Sequence, residues 1–133
     1  MNREEHDPPT RDLEPIARTL VDAGLKVHRA LGPGLLESAY EHCLAHELHG
    51  RGLQLQRQVV LPIAYDGVTI DAGYRLDLLV ENVIVVEVKS VDALTRVHEA
   101  QILTYLKLST HRMGFLMNFN VPLFKQGLKR FVL

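Results

Sequence analysis

The chain has a single cysteine, Cys43, no tryptophan, and no acidic residue after Glu99. A lone thiol forms no internal disulfide and builds no multi-cysteine zinc or iron–sulfur site, so any metal must be held mainly by oxygen or histidine. No apolar run approaches the ~20 residues needed to span a bilayer. The opening residues MNREEHDPPT lack the basic-then-apolar layout of a secretory signal. The expected location is therefore the cytoplasm, with no membrane partner. Hydrophobic residues at 47% and charged residues at 23% exclude a disordered or membrane composition, and 133 residues suffice for one core but not for two.

The missing late acids divide the chain electrically. Residues 100–133 carry Lys107, Arg112, Lys125, Lys129 and Arg130, net +5, against −6 for the rest. Such a segment can face phosphates, or it can simply keep a surface solvated.

Hydrophobic spacing organises the remainder. Residues 1–10 are polar, contain Pro8 and Pro9, and read as a loose tail, leaving 11–133 as the domain. From Leu13, the residues Ile16, Ala17, Leu20, Val21, Gly24, Val27 and Leu31 recur at three and four, predicting a helix that stops at Gly32-Pro33-Gly34. A second helix is expected from about Leu35 to Arg51. The period then changes: extended segments at 54–63 and 68–71 flank the turn signal Asp66-Gly67. Strands are expected at about 74–80 and 84–90, a helix at 95–109 and a short strand at 113–118, with the last residues forming a strand or turn. This order implies an α/β domain with a mixed sheet flanked by helices.

The sharpest local feature is RLDLLVENVIVVEVKS, in which Asp77 precedes Glu87 by ten residues and Lys89 follows two later. Glu87 and Lys89 share a strand face because side chains alternate. A two-residue loop at Glu81-Asn82 would put Asp77 on the other face, whereas a three-residue loop through Val83 would set it opposite Glu87. Asn82 suits the left-handed conformation of the odd-length loop, and that register is the one expected. Two facing carboxylates repel unless a cation sits between them, and Mg²⁺ is typically held by one or two carboxylates with waters and substrate phosphate. The bland alternative is a carboxylate–lysine pair on a solvated sheet.

On the second helix, steps of 100° place Leu36, Tyr40, Cys43, Leu44 and Leu48 on one arc with Glu37 and Glu47 inside it. A buried Glu37 would need a metal, a proton or a basic partner such as Arg57 or Arg75. His42, His46 and His49 fall on the opposite arc and read as a solvated face. His98, Gln101 and Tyr105 form a polar stripe along the third helix, placed to touch a backbone or simply to mark an amphipathic boundary.

Taken together, these segments resemble the GxxExxY proteins, a prokaryotic family within the PD-(D/E)xK nuclease superfamily. The naming motif reads Gly34-Leu35-Leu36-Glu37-Ser38-Ala39-Tyr40 after VHRALGP, and Asp77 with Glu87-Val88-Lys89 looks like the acidic and (D/E)xK elements. Gln101 to Tyr105 looks like the QxxxY element, and HEAQILTYL and NFNVPL fit the same pattern. The resemblance implies a restriction-endonuclease-like αβββαβ core with an additional N-terminal helix. It also implies Asp77, Glu87, the Val88 carbonyl and Glu37 as metal-site groups for Mg²⁺ or Mn²⁺, and Lys89 assisting the attacking water. Tyr40, His98, Gln101 and Tyr105 would be substrate-binding or supporting residues. The expected activity is hydrolysis of nucleic acid, with DNA the expected substrate and a homodimer or protein partner the expected assembly. An iron–sulfur variant is excluded by the lone Cys43. The alternative is a non-catalytic nucleic-acid- or partner-binding module on the same fold.

Overall fold

The computed structural model describes residues 12–133, so the expected tail lies outside the described residues. Helix α1 spans Glu14–Leu31 and α2 spans Glu37–Gly50. Strand β1 is Leu55–Val60, and a separate short hairpin pairs β2, Ile63–Tyr65, with β3, Val68–Ile70. Strands β4, Arg75–Val80, and β5, Ile84–Lys89, precede helix α3, Arg96–Ser109. Strand β6, Met113–Asn118, a 3₁₀ turn at Phe124–Gln126, and β7, Leu128–Val132, complete the order.

The main sheet runs β1-β4-β5-β6-β7. Only β5 and β6 are parallel, and they are joined through α3, as a parallel pair requires a crossover. The run α2-β1-β4-β5-α3-β6 is the αβββαβ order that the resemblance implies, with α1 in front of it and β7 behind. One expected element divides. The stretch 54–63 is not one strand, because the chain leaves the main sheet after Val60 and passes through Pro62, which has no N–H for a ladder. The Asp66-Gly67 turn then closes the separate β2–β3 hairpin, with φ of 50° and 74°.

Helices cover both sheet faces. Leu78, Val80, Ile84, Val86 and Val88 pack with Leu20, Val27, Tyr40, Leu44 and Leu48 of α1 and α2. On the other face Leu79 and Val85 meet Tyr105 and Leu106 of α3. Gly114 permits that close approach: a Cβ there would lie 3.1 Å from Ile102 Cδ1 and 3.2 Å from a Leu106 methyl. Thr95 caps α3, its Oγ1 accepting from the His98 N–H while His98 Nδ1 accepts from the Thr95 N–H.

The two stretches VHRALGP and NFNVPL meet in the core. His28 Nε2 lies 2.7 Å from the Val121 carbonyl oxygen, and Tyr40 stacks on Phe119 with centroids 4.7 Å apart. The Tyr40 hydroxyl donates to the Gly32 carbonyl at 2.5 Å and accepts from the Leu35 N–H at 3.1 Å, fixing the angle between α1 and α2.

Candidate active site

Register decides whether the acids meet. Strands β4 and β5 pair Leu78 with Val86, Leu79 with Val85 and Val80 with Ile84, around a loop of Glu81, Asn82 and Val83. This is the three-residue loop, and continuing its register sets Asp77 opposite Glu87. Asn82 is left-handed at φ 57°, as expected, and Glu81 is left-handed too at 52°. At the site the backbone ladder gives way to side chains. The Asp77 N–H donates to Glu87 Oε2 at 2.9 Å, and the Val88 N–H donates to Asp77 Oδ2 at 2.8 Å. Each carboxylate is thus anchored by the main chain of the opposite strand.

Both groups are short of water. Glu87 is 3% exposed. Burial, then the charge of Asp77, pushes its carboxyl up to about 8. Asp77 is raised as well, chiefly by burial and next by the charge of Glu41, while the Val88 N–H opposes the shift. Lys89 follows Glu87 on the same face and favours the charged forms of both acids. Its Nζ donates to Gln101 Oε1 at 3.3 Å, and Gln101 Nε2 donates to the Tyr105 hydroxyl at 2.9 Å. Tyr105 is held protonated by burial and by Glu87, and its own hydroxyl proton remains available to a further acceptor. Asp77, Glu87, Lys89, Gln101 and Tyr105 therefore form one connected group on the α3 face of the sheet.

Three other expected residues sit differently. Glu37 is exposed rather than buried: it opens α2, where the helix overhangs the end of β5, and its Oε2 lies 3.4 Å from the Ser90 nitrogen. Its angular position suits the core, but it stands beyond the core's edge. Tyr40 is fully buried in the α1–α2 junction, beyond reach of a substrate. His98 is engaged in the cap of α3. Leu36 and Cys43, placed on the apolar arc by sequence, are exposed as well, and the true buried face turns toward Glu41 and Ala45.

The buried acid of α2 is Glu41, 5% exposed, which sequence reading passed over. It pairs with Arg57 at 2.6 Å and accepts from Gln58 Nε2 at 2.8 Å. A signal existed, since Glu41 precedes Leu44, Ala45 and Leu48 by three, four and seven residues. The basic C-terminal third is partly neutralised: Lys129 pairs with Glu99 and Arg130 with Glu14.

The donor set suits a hard divalent cation. Asp77 and Glu87 offer oxygen only, and each raised carboxyl marks a place where positive charge would be stabilising. Among the described residues no group of three or more His, Cys, Asp or Glu could hold a metal by itself, so this is no closed cage of the structural-zinc kind.

A family model described as the PD-(D/E)XK nuclease superfamily matches residues 14–131. The chain belongs to that superfamily, whose members are typically nucleases. No curated protein and no solved structure gives a match.

Proposed function

We propose that this protein is a divalent-metal-dependent nuclease of the GxxExxY type that hydrolyses phosphodiester bonds, with DNA as substrate. The observation that carries the reading is the pairing of half-buried Asp77 with buried Glu87, with Lys89 on the same face, in a chain of nuclease ancestry. Structural ion pairs seldom take this form, because a second acid buried beside a single lysine is driven to keep its proton, as the raised Glu87 carboxyl shows.

Asp77 and Glu87, with the Val88 carbonyl, would hold Mg²⁺ or Mn²⁺. When bound, such an ion supplies Lewis-acid polarisation of a phosphoryl oxygen and lowers the pKa of water. The protein's own contribution is placement. The Val88 and Asp77 N–H groups each hold one oxygen of the two carboxylates. Lys89, held by Gln101, presents its remaining ammonium protons to a water or to charge building on phosphate. Tyr105 buttresses Gln101 and leaves one hydroxyl proton for a phosphate oxygen. Glu37, at the end of β5, can join as a further acidic group at the rim.

Purified protein incubated with single- and double-stranded DNA and RNA, with Mg²⁺ or Mn²⁺ or with chelator, tests the reading. Metal-dependent cleavage is expected, and Lys89→Ala and Asp77→Ala should each lower the rate by about 10²–10³-fold. Hydrolysis that persists in both variants, or none with the wild type, rejects the proposal.

A further inference from the structure

Strand β1 leaves regular geometry at one residue. Gln58 has φ +53°, the left-handed region, which costs a side-chain-bearing residue about 1 kcal/mol or more. Register sets this same residue opposite Asp77: Arg57 pairs with Leu78 and Val59 with Leu76, and the position between them makes no ladder pair. Ordinary alternation would send Arg57 and Gln58 to opposite faces. The left-handed turn instead lets both reach Glu41, Arg57 at Oε2 and Gln58 at Oε1. Gln58 Nε2 also lies 3.4 Å from Asp77 Oδ1. Only the NH₂ end of an amide can face two carboxylates at once, so the group is oriented without ambiguity. Asp77 Oδ2 is already taken by the Val88 N–H, and Gln58 therefore acts on the remaining oxygen.

We propose that Gln58, buttressed by the buried Glu41 and its more exposed partner Arg57, is a positioning residue that fixes the rotation of the Asp77 carboxylate for metal binding. The inference rests on the nuclease reading above. The strain in β1 is retained because a regular strand would aim this amide away from one of its two acceptors. Oδ1 has two lone pairs, so accepting from Gln58 leaves one for a ligand.

Two variants separate positioning from strand geometry. Gln58→Gly removes both the strain and the amide, so in chelator it should melt at or above the wild-type temperature. Gln58→Asn keeps a residue at ease in the left-handed region but is one methylene too short to reach both acids. In both, the Mn²⁺ concentration for half-maximal cleavage should rise about tenfold, as expected when support for a ligand is lost. The Mn²⁺-induced rise in melting temperature should shrink at fixed metal. If Gln58→Gly melts lower in chelator, Gln58→Asn decides: a wild-type metal response there overturns the proposal. Wild-type metal response in both variants overturns the role of Gln58 alone. A wild type that neither cleaves nor responds to Mn²⁺ overturns the nuclease reading, and this inference with it.

Discussion

Replacing Glu87 with glutamine preserves the shape of the side chain while removing its charge, and it should change how the stability of the metal-free protein depends on pH. The carboxyl stands at about 8 in the folded chain against an ordinary 4.5, because of burial first and Asp77 second. Between those values the folded state keeps a proton that the unfolded state releases, so stability is complete below about 4.5 and falls as pH rises toward 8. At about 1.4 kcal/mol per pH unit the ceiling is roughly 5 kcal/mol, and screening through the partly open site leaves on the order of 2–4 kcal/mol. At roughly 3–5 °C per kcal/mol for a domain of this size, the wild type should lose about 10 °C between pH 5 and pH 8 in chelator, relative to Glu87→Gln. Mn²⁺ should restore the wild type at pH 8 and do little at pH 5, where the proton competes for the same oxygens. Scanning fluorimetry over that pH range, with and without metal, makes the measurement. Parallel curves for wild type and Glu87→Gln in chelator would refute the reasoning, since they would mean that Glu87 titrates alike in folded and unfolded chains.

Two further substitutions probe the frame around the site. Tyr40→Phe removes the hydroxyl shared by Gly32 and Leu35, and should cost about 1–3 kcal/mol in denaturant unfolding; cleavage well below the melting temperature should stay within about twofold, because Tyr40 is wholly buried. Gly127→Ala would place a Cβ 2.0 Å from the Asn118 carbonyl oxygen, where the two backbones are joined by the Asn118 N–H donating to Gly127; a loss of about 3 kcal/mol or poor soluble yield is expected.

How far the sequence carried the structure can be argued from single positions. Element types followed from apolar periodicity and from breakers, and the β4–β5 register followed from one residue, Asn82, whose tolerance of a left-handed turn selected the odd-length loop. That Asp77, Glu87 and Lys89 share one face was legible because strand alternation is a strict geometric rule. Glu37 was not, because a helical projection gives angle but not height, and this residue has the right angle at a level where the core has ended. Exposed Leu36 and Cys43 turned the apparent apolar arc away from its true centre, which concealed Glu41. Gln58 gave no local signal at all. Its side chain meets two carboxylates brought from α2 and β4, a contact that no window along the chain contains.

The small hairpin β2–β3 departs and returns at Val60 and Arg75, which are themselves a ladder pair, and the junction is closed again by the Leu61 N–H donating to the Tyr74 carbonyl. The excursion is therefore insulated from the alignment of the two strands that carry Gln58 and Asp77: residues can be added or deleted at its tip while the rungs below stay in step. A designer wishing to give this chain a new address on its target would graft there, on a peg already tied off at its base.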